Sequence, residues 1–130
     1  MGLFHSSTIA SPAGTTITKD TAAGATVRTA VDSGGAKVLQ FEIDNTLNSS
    51  ASFLRIYSLN ATVALHAVTV GSASKPHIVF KAPAGKKIVC TIATDDIVID
   101  EKTKFACLTT GGTLGTTAPS SDVSVSITTG

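Results

Sequence analysis

The sequence predicts an all-β protein, an antiparallel β-sandwich or jelly-roll-like fold built from about eight short strands. Thr, Ser, Ala, Gly and Val dominate its 130 residues, and β-branched side chains such as Thr and Val favour the pleated surface of a strand. Short runs of alternating apolar and polar residues are separated by breaks rich in Gly, Pro, Asp and Asn. No segment has the pattern of a clear helix, which argues against a parallel βαβ arrangement.

The N-terminal part of the chain differs in composition from the rest. Residues 1–24 are rich in Thr, Ser, Ala and Gly and show little periodicity, so they are predicted to form an extended N-terminal arm. Residues 25–130 are predicted to form one β-sandwich domain, since a chain of this length is close to the commonest domain size.

Alternation places the strands within the predicted sandwich. Leu39, Phe41 and Ile43 share one face of a strand, and Leu54 and Ile56 share one face of the next, opposite Arg55. The strand runs fall at residues 26–31, 37–43, 53–57, 62–70, 77–81, 87–93, 97–99, 104–109 and 123–128.

Two segments lack the alternation of the other strand runs. Residues 62–70 are nearly all apolar or small, which fits a strand buried on both faces or a short helix, and the β-branched residues favour the strand. Residues 110–121 are rich in Gly and Thr and are predicted to form a long loop before the last strand.

The charge pattern limits the classes of partner. The net charge is +1 and the ten basic residues are spread along the chain, so no basic stripe is available for a nucleic-acid backbone. No apolar run reaches the roughly 20 residues of a membrane span, and the N-terminus lacks the pattern of a secretory signal. We therefore predict no nucleic-acid and no membrane partner.

Catalytic and metal-binding patterns are weak. A nucleophile needs a base beside it, and the three histidines are His5 in the N-terminal arm and His66 and His77 among apolar neighbours in strand runs. They are interpreted as packing or surface residues. An acidic cluster has the chemistry of a calcium site but lacks the spacing of an EF-hand, so a solvated turn is preferred; it consists of Asp95, Asp96, Asp100 and Glu101. We predict no catalytic, cofactor-binding or metal-binding residues, no cofactor and no enzymatic activity.

Two cysteines and two asparagines each allow two interpretations. Cys90 and Cys107 lie in strand runs and are predicted to be reduced thiols, although a disulfide would be feasible if their strands were neighbours. Asn48 and Asn60 match the glycosylation pattern, and without a secretory signal both matches are attributed to chance.

The last strand has unusually little edge protection. Residues 123–128 contain neither Lys nor Pro, the residues that usually protect an exposed strand edge. This absence predicts that strand edges or faces of the protein are covered by other protein molecules.

The order of several short motifs resembles a group of small β-sandwich structural proteins of tailed bacteriophages, including capsid decoration (cement) proteins. The resemblance extends from about residue 41 to 127, and departs from the group at residues 100–104, where a Ser/Thr-Gly-Leu turn would be expected. The motifs lie at residues 44–46, 53–57, 70–76, 82–85, 109–119 and 122–125.

This resemblance implies a virion protein, assembled in the host cytoplasm, that binds the major capsid protein or other virion proteins and stabilises the shell. A homo-oligomer, a trimer or a dimer, is expected. Residues 3–18 and the loop 110–121 are the predicted tethers. The first alternative is a neck, tail or baseplate protein of the same virion. A carbohydrate-binding module is ranked lower, because sugar sites usually need exposed aromatic rings and the chain has no Trp and only one Tyr, Tyr57.

Overall fold

The computed structural model describes residues 7–11, 15–30, 36–57, 70–71, 76, 78–92, 98–99 and 103–130. These residues form ten strands and no helix, so the predicted all-β class is confirmed. In this part of the chain no helix is long and apolar enough to cross a membrane. The strands are β1 (Ser7–Ser11), β2 (Thr15–Ala23), β3 (Arg28–Thr29), β4 (Ala36–Asp44), β5 (Ser52–Tyr57), β6 (Ile78–Ala82), β7 (Lys87–Thr91), β8 (Val98–Ile99), β9 (Lys104–Leu108) and β10 (Val123–Thr129).

The strands form two antiparallel sheets that pack as a sandwich. The larger sheet has the order β1-β2-β10-β4-β7, with β8 also paired to β4, and the smaller sheet has the order β3-β9-β5-β6. One core cluster contains residues of both sheets, such as Phe41 and Ile127 of the larger sheet and Leu54 and Phe105 of the smaller. Phe41 also contacts Phe80 of β6, with ring centroids 4.5 Å apart.

Strand β10 lies in the middle of the larger sheet. Its Val123, Val125 and Ile127 are at most 1% exposed, which confirms the predicted alternation, and it pairs with β2 on one side and β4 on the other. The premise that β10 presents an unprotected edge is therefore wrong, whereas the coverage of other strand edges or faces by partner proteins stays a prediction. Both edges of β10 are hydrogen-bonded within the chain, so neither requires a protecting charge.

A bulge changes the predicted face of β4. Phe41 and Ile43 are buried as expected, but the third core residue is Val38, which is 1% exposed, and not Leu39. Thr128 pairs with Gln40 and Thr129 pairs with Val38, so one residue of β4 has no counterpart on β10. Such an extra residue reverses the alternation beyond it.

The N-terminal segment differs from the predicted arm, because β2 lies inside the larger sheet between β1 and β10. A boundary after residue 24 therefore does not separate an arm from the sandwich. The inward positions of β2 carry Thr18 and Asp20, which are 4% and 1% exposed, so the buried face lacks the hydrophobic signal of a strand. Asp20 accepts a hydrogen bond from the backbone of Ala22 (3.0 Å) and lies 3.6 Å from Arg28 Nε.

The smaller sheet is buried on both faces at its centre. Arg55 lies on the face opposite Leu54 and Ile56, as predicted, and all three side chains are at most 1% exposed. In β9, Phe105 to Leu108 are buried without alternation. The predicted strand at 62–70 and the predicted turn at 32–35 fall almost wholly outside the described residues.

Candidate interaction surface

Asn45 directly follows β4 and joins three segments at one end of the sandwich. Its side chain is fully buried, and its Nδ2 lies 2.9, 3.1 and 3.1 Å from the carbonyl oxygens of Ser50, Ala82 and Pro83. Its Oδ1 accepts hydrogen bonds from Ser52 Oγ (2.7 Å) and Asn48 Nδ2 (2.9 Å). A buried amide in this position satisfies backbone carbonyls that would otherwise lose their hydrogen bonds on leaving water.

Asn48 extends this network to the segment before β10. Its Nδ2 donates to the carbonyl of Ser121 (3.0 Å), and its Oδ1 accepts from the backbone N–H of Ser121 (2.8 Å) and the hydroxyl of Ser120 (3.3 Å). Its carbonyl accepts from Gly85 N–H (2.9 Å). Because this amide is 5% exposed and fully engaged, the glycosylation pattern at Asn48 reflects a folding requirement.

The segment Ala82 to Gly85 crosses between the two sheets. It leads from β6 at the edge of the smaller sheet to β7 at the edge of the larger, and so is a sheet-to-sheet turn and not a hairpin. Gly85 has φ of +67°, a left-handed conformation that glycine adopts without steric cost. The turn predicted here is confirmed, and the Asn45–Asn48 network fixes its position.

An exposed leucine stands beside a groove at this end. Leu47 is 70% exposed and borders a groove of about 520 Å³ whose walls are mostly small residues. We call this the Leu47 groove; it is lined by Ala22, Ala23, Gly24, Leu47, Ala118, Pro119, Ser120, Ser121 and Asp122. A second depression of about 380 Å³ shares Leu47 and Asp122 and adds Thr21, Asp44, Thr46 and Ser124.

The walls of the Leu47 groove are held by hydrogen bonds. Ser120 and Ser121 are bound by Asn48 on one side. On the other side, the carbonyl of Gly24 accepts from Cys107 N–H (2.9 Å) in β9. Hydrogen bonds within the chain therefore tie both walls of the groove to the sandwich.

Asp44 gives the second depression a negative rim. Its Oδ1 accepts hydrogen bonds from Thr46 Oγ1 (2.6 Å) and Thr46 N–H (3.1 Å). These two bonds, with smaller contributions from Lys87 and Lys19, hold the pKa of Asp44 below its usual value. The carboxylate is thus ionised at neutral pH.

The loop predicted as a tether is folded onto the smaller sheet. Arg55 Nε and Nη2 donate to the carbonyl of Thr110 (3.0 and 2.7 Å), and Nη2 also donates to Thr110 Oγ1 (2.9 Å). Thr109 N–H donates to the carbonyl of Thr117 (2.9 Å). The loop thus covers the buried guanidinium of Arg55 and leaves Leu114 77% exposed.

Glycines allow this close packing. A Cβ on Gly115 would overlap Thr110 Oγ1 and lie 3.2 Å from Arg55 Nη2. Gly71, with φ of +78°, has the methyl group of Thr116 in the space that a Cβ would occupy. The sequence motifs at residues 70–71 and 109–116 therefore meet in space.

The outer face of the larger sheet carries both hydroxyl-bearing and charged side chains. One cross-strand row runs from Ile17 through Thr128 and Gln40 to Thr91. In the next row, Glu42 lies between Ser126 and Val89 and its carboxylate lies 3.3 Å from Lys87 Nζ. Lys19 lies opposite Ser126 in the same row, so the face carries charges of both signs.

The two cysteines are free and lie in different sheets. Cys90, in β7, is partly buried, and Cys107, in β9, is fully buried, so the predicted thiols are confirmed. Burial, and to a lesser extent Asp20, raises the pKa of Cys107 to about 12. Such a thiol is a poor nucleophile and metal ligand at neutral pH.

The remaining chemical candidates are outside the described residues. These are the three histidines, the acidic cluster of residues 95–101 and Asn60. Among the residues that the structure describes, no group of three or more His, Cys, Asp or Glu is placed to hold a metal ion.

Sequence reasoning missed Leu47 and the end of β2 as parts of one surface. The available signal was Leu47 itself, a lone large apolar residue within the polar break at 44–50. Of the predicted tethers, the structure brings residues 118–121 into the groove wall and places residues 7–11 and 15–18 in β1 and β2.

Comparison with known proteins gave no match to any protein-family model, curated protein or solved structure.

Proposed function

We propose that this chain is a bacteriophage virion structural protein, a capsid decoration protein that binds and stabilises the major capsid shell. The motif order that resembles such proteins supports the phage assignment. The observation that carries a packing role is the Leu47 groove, where an exposed leucine stands beside a groove lined mostly by small residues.

This geometry suits docking of one folded protein on another. The exposed leucine can pack into a pocket of a partner protein, while a side chain of that partner fills the groove. Because the walls are hydrogen-bonded in advance, little conformational entropy is lost on binding. On a shell of repeated sites, modest contacts of this kind are multiplied by avidity if several copies are linked.

A carbohydrate-binding role loses support. Sugar-binding sandwiches present aromatic rings as platforms, yet Tyr57 is 1% exposed and the chain has no Trp.

The stoichiometry of particles tests the proposal. Quantitative mass spectrometry of purified phage particles that contain this chain is expected to give a copy number comparable to that of the major shell protein. A copy number that is a small fraction of the shell protein would assign the chain to the neck, tail or baseplate. Absence from purified particles would overturn a virion role.

The groove is tested by substitution. Particles stripped of this chain are titrated with wild-type protein and with Leu47→Asp, which places a charge in the contact and is expected to lower affinity at least about tenfold. Val89→Asp is the control, since Val89 is 52% exposed on β7, away from the groove. Equal binding of Leu47→Asp and wild-type protein would remove the groove from the interface.

A further inference from the structure

Strand β1 forms one edge of the larger sheet. All five of its residues pair with β2, in register from Ser7 opposite Lys19 to Ser11 opposite Thr15. Within the described residues β1 has no second strand neighbour. An edge of this kind presents a row of backbone donors and acceptors to any extended segment that reaches it.

The other edge strands among the described residues are short or carry charge. Strands β3 and β8 have two residues each, and a two-residue edge offers little to pair with. The two other edge strands of five residues carry an exposed lysine, Lys81 in β6 and Lys87 in β7. Lysine on an edge disfavours addition of a further strand. Among the five-residue edge strands of the described chain, only β1, with the sequence Ser-Thr-Ile-Ala-Ser, is uncharged.

The β1 sequence fits its own copy in antiparallel orientation. A two-fold axis through Ile9 would set Ile9 opposite Ile9, Ser7 opposite Ser11, and Thr8 opposite Ala10. No position in this register opposes two like charges, and the central pair is a β-branched apolar pair, which favours cross-strand pairing. A two-fold contact of this type is isologous and therefore closes at two copies.

We propose that two copies of this chain pair through β1, antiparallel about Ile9, so that the larger sheet continues from one molecule into the other. The pairing makes the expected homo-oligomer a dimer and defines its interface. It is independent of the capsid role, because purified protein suffices to test it.

Solution mass gives the first test. Light scattering behind size exclusion is expected to show twice the chain mass of 13.1 kDa, and Ile9→Lys, which brings two ammonium groups together at the axis, is expected to reduce the mass to that of one chain. Val89→Lys makes the same change on β7 and should leave the dimer intact. Two results would overturn the proposal. One is a wild-type protein that remains a monomer at high concentration, and the other is a dimer that is lost in Val89→Lys but persists in Ile9→Lys.

Cross-linking tests the register even if Ile9→Lys disturbs β1. In a Cys90→Ser background, Ile9→Cys should form an intermolecular disulfide under mild oxidation, since directly opposed residues lie roughly 4.5–5.5 Å apart at Cα, within disulfide reach. Ser7→Cys alone should not cross-link, but should do so when mixed with Ser11→Cys chains. Failure of Ile9→Cys to cross-link in a folded chain would refute this pairing.

Discussion

At the scale of single residues, Asn45 shows why a polar side chain can be as essential as the core. Its amide binds carbonyl groups of the β4–β5 loop and of the sheet-crossing turn, and reaches the segment before β10 through Asn48. An asparagine side chain suits this role because its planar amide carries both N–H donors and a carbonyl acceptor. A carboxylate of the same shape does not, because it has no N–H to donate.

Replacement of Asn45 by Asp should therefore be strongly destabilising. Asn45→Asp sets a buried carboxylate against the carbonyls of Ser50, Ala82 and Pro83, and we expect a loss of at least about 3 kcal/mol in the free energy of unfolding. Urea unfolding followed by circular dichroism measures it. Thr46→Ala, at the exposed neighbouring position, should cost no more than about 1 kcal/mol. Equal effects at both positions would contradict the assigned role of Asn45.

Cys107 should make stability depend on alkaline pH. An unfolded thiol ionises at about pH 8.5–9, whereas the folded pKa is about 12. Between these values the folded state retains a proton that the unfolded state has lost, so stability falls as pH rises, by at most about 1.4 kcal/mol per pH unit. Below this window the group contributes no pH dependence.

The measurement is the urea midpoint between pH 8 and 10.5 for wild-type protein and Cys107→Ala. The variant lacks this titration, so its midpoint should decline less steeply, whatever its absolute stability. Parallel curves would show that Cys107 is not the group responsible.

At the scale of elements, the loop of residues 110–121 has no hydrophobic periodicity, yet hydrogen bonds attach it to the smaller sheet. Glycine makes this possible at the points where backbone and side chains of the sheet approach closely, as at Gly115 beside Thr110 and Arg55. The sequence predicts the loop and its boundaries but not its attachment, because a buried arginine on β5 cannot be told from a solvent-facing one by alternation alone.

Two glycines of this loop form a matched pair for a test. Gly115→Ala places a methyl group against Thr110 and Arg55 and should destabilise the fold by roughly 1–3 kcal/mol. A Cβ on Gly112 would have no heavy atom of the described residues within 4 Å, so Gly112→Ala should change stability by no more than about 0.5 kcal/mol. Thermal or urea unfolding distinguishes them; a larger loss from Gly112→Ala would contradict the packing described for the loop.

Strand β2 marks the limit of prediction from alternation. Strands with apolar inward positions, such as β7 and β10, are evident in the sequence. Strand β2 places Thr18 and Asp20 inward, and the stabilising partner of Asp20 is Arg28, which lies in the next strand. The contacts that identify β2 as a buried strand therefore exist only in the folded protein. The same holds for the bulge in β4, which buries Val38 in place of Leu39.

At the scale of the whole molecule, the sandwich depends on segments from both ends of the chain. β10 is paired on one side by β2 and on the other by β4. The fold class was accessible from the sequence because turn spacing and alternation are local signals, whereas strand order and the Leu47 groove arise from long-range pairing.

Deletions at the N-terminus should accordingly have two outcomes. Removing residues 2–20 eliminates β1 and most of β2, exposes one edge of β10, and is expected to abolish cooperative unfolding. Removing residues 2–6 leaves every described strand intact and should retain the circular dichroism and unfolding midpoint of the full chain. A folded, cooperative protein lacking residues 2–20 would restore the interpretation of this segment as an arm. The shorter deletion is also the suitable variant for testing tethering to particles.

The central position of β10 affects the rate of folding and the risk of aggregation during folding. Its partners β2 and β4 occur about a hundred and about eighty residues earlier in the chain, so loops of that length must close before the larger sheet is complete. Contacts of such separation slow folding. Until β10 inserts, β2 and β4 each have an unpaired edge turned towards the other, and intermediates with open edges aggregate. Refolding should therefore be slow, and its yield should fall as protein concentration rises.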